Sequence, residues 1–269
     1  MLLRYVRLYI CFVRFSVSKS LEFRIDFFFS ILMDLLFYAL NLYFYYLILK
    51  QTPHLGGWTR EQVYVFVSAF LLSDAIMMTV LQRNLWYLPL LVNRGDLDYY
   101  LIRPVSSLFF LSLREIAVNS SINLVMSLAI MGWALHGYVQ SCDHSFVALV
   151  LRIPLFFLLV LLGTFLMYSV RLLFLLPVFW TQSGRGFDMV HWSFMKLAER
   201  PDGIYRGWFR WVLLTIFPFA VANSIPARAL FDRNPLWPTL NVLGCCALFS
   251  FLSFLLWRKC LRIYSSASS

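Results

Sequence analysis

Residues 94–104, Arg94-Gly95-Asp96-Leu97-Asp98-Tyr99-Tyr100-Leu101-Ile102-Arg103-Pro104, form a polar knot between two long apolar stretches. Where this knot sits decides how the apolar stretches are counted and which way they run. Asp96 follows Gly95 and has the chemistry of an N-cap, and Asp98 adds negative charge to the first turn. Arg103 suits the opposite end of the dipole, and Pro104 disfavours helix at the residue before it. The spacing therefore predicts a helix of about two turns over 96–102. A helix this short is marginal alone and needs a surface to lie on. That surface is either the membrane face between two spans or another protein. Tyr99 and Tyr100 as aromatic anchors, with the Arg103 fork, suit a protein interface.

The rest of the chain is apolar. Of 269 residues, 61% are hydrophobic and 19% aromatic, while only 13% are charged. Long uncharged runs in such a composition are membrane spans, and the chain reads as one integral unit over 1–269. The formal net charge is +10. The basic residues mostly flank apolar runs, so they read as cytoplasmic anchors and not as a nucleic-acid surface. The five cysteines (11, 142, 245, 246 and 260) form no C-x-x-C pair and have no histidine at metal spacing. They are expected to be small buried hydrophobes, with no disulfide framework and no metal site. Arg4, Arg7 and Arg14 interrupt the N-terminus and speak against a cleaved signal.

Arg4, Arg7, Cys11, Arg14 and Ser18 form a polar line at helical spacing, with apolar residues around it. Residues 1–24 are thus expected to hold an interfacial amphipathic helix. Spans are expected over about 25–49, 62–81, 116–138, 146–180 and 240–257. The opening knot lies in a segment spanning 82–115. Cations cluster before the first span, between the second and third, and after the last. Both termini and 82–115 are therefore placed in the cytoplasm, which requires an even number of spans; six is the expected count. Residues 181–210 admit two readings. In one they are a cytoplasmic loop and 211–230 is the fifth span. In the other a short polar helix near 187–200 is the fifth span, and the Pro-broken segment 201–235 is re-entrant, which is tolerated where protein covers the backbone.

Asp34 and Asp74 fall inside spans one and two, and Arg152 inside span four. Ionisable groups at that depth are costly and face the protein interior or a cavity. They read either as contacts along a polar path or subunit seam, or as a structural ion pair. Asn41, Asn119 and Asn123 suit interhelical hydrogen bonds. The chain has no G-x-x-x-x-G-K-[ST], so it cradles no nucleotide phosphate, and no G-x-S-x-G or H-E-x-x-H. No catalytic residue is assigned. The alternative is a membrane-embedded enzyme acting on a lipid or isoprenoid, with His191, Asp188 and Glu199 as an acid–base cluster; an amphipathic helix accounts for the same spacing.

The pattern G-D-L-D-x-x-L-x-R-P-V, with Arg114-Glu115 after an apolar run, resembles the cytoplasmic loop of ABC-2 type transporter permeases. More narrowly, it resembles a bacterial subfamily carrying G-x-L-D-x-x-L-x-R-P. Residues 200–230 (RPDGIYRGWFRWVLLTIFPFAVANSIPARAL) and 257–269 (WRKCLRIYSSASS) are similar to the same subfamily. The resemblance implies an all-α polytopic membrane protein of the ABC-2 exporter type. It would have an elbow helix, about six spans, a coupling helix after span two and re-entrant helices before the last span. It implies a second permease subunit, identical or paralogous, over two ABC ATPase subunits, with ATP and Mg bound by those partners and no cofactor on this chain. Gly95, Asp96, Leu97, Asp98, Tyr99, Tyr100, Arg103 and Pro104 would then be the ATPase-coupling residues. The expected location is the bacterial inner membrane, in contact with lipid. The aromatic-rich spans lean toward an amphipathic, lipid-linked or hydrophobic cargo moved outward.

Overall fold

The computed structural model describes residues 2–20, 24–142 and 145–264, and the regular elements among them are helices. The end of the C-terminal pattern, 265–269, lies outside the described residues, as do residues 1, 21–23 and 143–144. Among the described residues five helices are long and apolar enough to cross a membrane, and a sixth candidate is a pair of helices bent by 91°.

The N-terminal helix α1 (Leu2–Ser20) exposes Arg4, Arg7 and Arg14. Its other face sets Tyr5 and Phe12 edge-on against Phe109 and Phe110, with ring centroids 4.8 and 5.3 Å apart. Helix α2 (Arg24–Gln51) buries only a narrow stripe: Tyr38, Tyr45 and Leu49 point inward, while Phe28, Leu32, Leu36, Phe37 and Leu40 face outward. Helix α3 (Arg60–Ile76) is the opposite case, with Val63 to Ala75 almost wholly buried. Its small residues Ser68 and Ala69 let α7 (Ser121–Ser141) approach, and Ser68 Oγ meets Met131 Sδ at 3.1 Å. The Tyr38 hydroxyl donates to the Leu71 carbonyl at 3.1 Å, tying α2 to α3. Interhelical bonds of this kind contribute about 0.6–2 kcal/mol in a membrane.

The second span does not stop near residue 81. A π-helical segment, Met77–Gln82, carries α3 directly into α4 (Arg83–Arg94). Gln82 and Asn84 look like the polar end of a span, yet both are buried, and Asn84 bonds to the 115–120 segment. The combined helix has 35 residues, about 52 Å at 1.5 Å per residue. The hydrocarbon core is ~30 Å, so up to about 20 Å of this helix stands beyond it. The turn at 95–106 sits at its tip, contains α5 (Asp98–Leu101) and leads into α6 (Ser107–Leu113).

Helix α8 (Phe146–Leu175) is apolar nearly all round: protein covers mainly its second half, and Val147, Leu151, Leu158 and Leu161 face outward. Gly163 is required there: a Cβ would lie 2.1 Å from the Ala222 carbonyl oxygen. A short turn, α9 (Val178–Thr181), leads to α10 (Arg185–Ala198). Then come α11 (Gly207–Thr215), α12 (Phe219–Phe231) and α13 (Leu236–Ile263).

Contacts sort the loops onto two ends. At the near end Tyr5 meets Ser106, Trp257 Nε1 donates to Ser107 and Asn93 Nδ2 donates to the Gln182 carbonyl. The N-terminal helix and the end of α13 thus share this end with the 95–106 turn. At the far end Tyr45 donates to the Glu199 carbonyl. There Gly203 also packs on Gly56 so tightly that a Cβ would sit 2.0 Å from the Gly56 oxygen. Helix α10 therefore begins beside α4 at the near end and ends at the far end. Both ends of the α11–α12 pair lie at the far end: Arg210 reaches Asp202, and Phe231 stacks edge-on with Trp58. The run 211–230 is thus not one straight helix; Pro218 removes a helical N–H and the chain turns back there.

Candidate functional site

The near-end turn is built inside and out. Gly95 takes φ 79° and closes α4, its N–H reaching the Val92 carbonyl at 3.4 Å. Only glycine takes that left-handed conformation without strain. The Leu97 N–H continues the closure to the Leu91 carbonyl at 3.2 Å, and its side chain is fully buried beside Leu88, Leu111 and Leu172. Asp96 does not cap a helix as its position suggests. Leu97 occupies the cap position and makes no side-chain cap bond, and the helix is one turn over Asp98–Leu101. The chain arrives already coiled from α4, so no free N–H row is left for Asp96 to satisfy.

The eight sequence-predicted coupling residues divide accordingly. Gly95, Leu97 and Tyr100 are buried and Asp98 is half-buried, while Asp96, Tyr99, Arg103 and Pro104 are exposed. Tyr100 is not a free anchor. Its ring packs edge-on against Phe110 at 5.2 Å, and its oxygen accepts from Arg114 Nη1 at 2.7 Å. Burial raises its pKa and the Arg114 charge opposes that rise. Arg103 instead lies over the Tyr99 ring at 4.3 Å, fixing an exposed cation–π pair, worth about 0.5–1 kcal/mol at such a site. Ile102, which sequence reasoning missed, is 76% exposed between them. An isoleucine placed directly before Arg-Pro in a polar turn was the available signal.

Beneath the turn, Glu115 is a hub. It pairs with Lys19 of α1 at 3.2 Å and with Arg83 of α4 at 3.3 Å. Its backbone N–H donates to Asn84 Oδ1 at 2.9 Å, and Asn84 Nδ2 donates back to its carbonyl at 2.7 Å. The Ile116 N–H donates to Ser16 Oγ at 3.0 Å, and the Ala117 N–H donates to the Thr79 carbonyl at 2.9 Å. The π segment, α1, α4 and the start of α7 are thus joined around the base of the turn. A displacement of the turn has a hydrogen-bonded route to four elements.

Beside the hub opens a cavity of about 1010 Å³, lined by Lys19, Arg83, Glu115 and Asp34 together with aromatic and methionine side chains. Asp34 accepts from Asn123 Nδ2 at 2.6 Å. Asp74 lies on α3 near Tyr38, off the cavity lining. Neither aspartate is in an ion pair among the described residues. Arg152 is elsewhere: it sits near the start of α8 and donates to the Leu230, Asp232 and Arg233 carbonyls at 3.1, 2.7 and 2.9 Å. It caps the end of α12, and the three intramembrane candidates are not brought together.

Two ion clusters were not legible in the sequence. Asp202 is fully buried between Arg210 and Arg228, accepting at 2.7 Å and 3.0 Å. Arg171, 1% exposed, donates to Asp188 Oδ1 at 2.9 Å. That pairing takes Asp188 away from His191, which is buried among Phe174, Phe219 and Trp192. Glu199 lies at the other end of α10, beside Tyr45. The imagined acid–base cluster is therefore not assembled. Among the described residues no three His, Cys, Asp or Glu side chains converge as for a metal ion.

The family model of ABC-2 family transporter proteins matches residues 35–268. No curated protein and no solved structure gives a match.

Proposed function

The chain belongs to the ABC-2 transporter family, and on that premise we propose that it is the permease subunit of an ATP-driven exporter whose ATP is hydrolysed by separate subunits. It is a multi-pass, all-α membrane protein. Two ABC ATPase subunits, holding ATP and Mg, sit against the near end, and a second permease, a copy or a paralogue, completes the path. The near end is cytoplasmic and the membrane is the bacterial inner membrane. The shared position of α1 and the end of α13 with the 95–106 turn supports this orientation. Helix α10 is the fifth crossing and α11–α12 a re-entrant hairpin, which gives six crossings and keeps both termini on one side. The cargo is amphipathic, lipid-linked or hydrophobic and moves outward.

The observation that carries the reading is the exposed set Asp96, Tyr99, Ile102, Arg103 and Pro104 at the tip of a 35-residue helix whose base is locked by Glu115. Closure of the ATPases pushes this tip, and the hub passes the motion to α1, α7 and the π segment, switching access between the two sides. The test is co-purification with the ATPase after Asp96→Lys together with Arg103→Glu. Loss of the complex or of stimulated ATP turnover is expected. Unchanged association and turnover would overturn the assignment.

A further inference from the structure

The cavity beside Glu115 holds a charge that the coupling route does not use. Asp34 lies on α2, seven residues past Phe27, where the candidate span starts, about 10 Å along the helix axis. A lone carboxylate at that depth is expensive and marks a functional site by default. Among the described residues its one hydrogen bond comes from Asn123 Nδ2 at 2.6 Å. A carboxylate only accepts, so the nitrogen of that amide must face it. The amide oxygen, on a residue only 2% exposed, is left in the same spot with no partner.

Asp34 thus places a carboxylate on the cavity wall, steadied from behind by the Asn123 amide. The rest of the lining includes Phe27, Met33, Met78 and Trp86, aromatic faces and soft thioethers. The two cations of the cavity, Lys19 and Arg83, are held by Glu115 at its mouth, with side chains 43% and 37% exposed. Glu115 offsets one of these two charges and both side chains are partly solvated, whereas Asp34 has no cationic partner among the described residues. A ligand matching this surface carries a positive charge to Asp34 and an apolar body to the aromatic wall, where cation–π attraction adds to burial. A phospholipid would put acyl chains against the carboxylate instead.

We propose that this cavity binds a hydrophobic organic cation, with Asp34 as its counter-charge and Trp86 and Phe27 as its apolar walls. The proposal rests on the exporter reading for its meaning, since it names the cargo class, but the binding itself needs no ATPase. The full chain in lipid nanodiscs is titrated with tetraphenylphosphonium, and with tetraphenylborate as a probe of the same shape and opposite charge. Saturable tetraphenylphosphonium binding is expected. Asp34→Asn should weaken it by about tenfold or more, the loss of one charge-assisted contact. Asp34→Glu should restore it, and Met33→Trp, at an exposed lining position, should weaken it by filling space. Tetraphenylborate should not bind saturably. Equal binding of both probes, or equal affinity in Asp34→Asn, would overturn the proposal. So would native mass spectra showing a phospholipid retained alike by parent and Asp34→Asn. Should Asp34→Asn not fold, Met33→Trp and the borate probe decide. Binding without ATPase coupling would leave this site standing and sink the exporter reading; coupling without binding would do the reverse.

Discussion

Asp202→Asn is the most demanding change to ask of the far end. Asp202 is fully buried and receives Nε and Nη2 of Arg210 at 3.0 and 2.7 Å and Nε and Nη2 of Arg228 at 3.0 Å each. Its own N–H is held by Ser224 Oγ at 3.1 Å. This group pins the 201–204 turn to both arms of the bent pair. Asparagine keeps the shape but removes the charge and turns one acceptor into a donor facing a guanidinium. Removing one partner of a buried ion pair costs about 3–5 kcal/mol. The arginine side chains keep 39% and 23% exposure and can turn to water, which lowers the cost to about 2–3 kcal/mol. For a chain of this size that is a fall of about 5–10 °C in melting temperature. The assay is thermal unfolding of the purified protein in detergent, followed by tryptophan fluorescence. Arg228→Gln should cost less, because Arg210 still compensates Asp202. A melting temperature for Asp202→Asn within about 1 °C of the parent would refute the reasoning.

Further outcomes follow from the same geometry. Gly203→Ala forces a Cβ to 2.0 Å from the Gly56 oxygen and should destabilise by about 1–3 kcal/mol; Gly137→Ala, with nothing within 4 Å, should leave the melting temperature unchanged or slightly higher. Glu115→Gln breaks two partly solvated pairs, so thermal stability should shift by less than about 1–2 kcal/mol, while transport per ATP hydrolysed should fall. The Glu199 carboxyl, at the far end of α10, has its pKa raised by burial, with Lys196 and Arg200 opposing. The folded state thus holds that proton more tightly than the unfolded one, and the stability it contributes is lost as pH rises from the usual glutamate value through the raised one. Melting curves across that window should show the loss in the parent and not in Glu199→Gln. Maleimide in detergent should label exposed Cys11 well before buried Cys246 and Cys260.

The spans α2, α7, α8 and α13 were legible because unbroken apolar runs report directly on helix length. Their partners were not. Gln82-Arg83-Asn84 reads as a polar end, yet Glu115, some thirty residues on, supplies the groups that pair with Arg83 and Asn84. Helix α12 is apolar because α8, α3 and α13 enclose it, so hydropathy alone could not separate protein burial from lipid exposure. The partners of Arg152 were hidden because its acceptors are carbonyls 78 to 81 residues away. At the turn, Gly95, Asp96 and Pro104 marked the place correctly. Which residues face outward depended on Leu97 and Tyr100 being drawn into the core by α6 and α8, a tertiary effect with no local signature.

The central claim, that the 95–106 turn is the mechanical contact with an ATPase, is tested most directly by photo-crosslinking. A benzophenone amino acid is placed at Ile102, 76% exposed at the near end, and in a separate variant at Trp237, 74% exposed at the start of α13. After illumination of the co-expressed complex, position 102 should yield an adduct with the ATPase whose yield changes when nucleotide is added, and position 237 should yield none. An ATPase adduct from 237 and none from 102 would contradict the account.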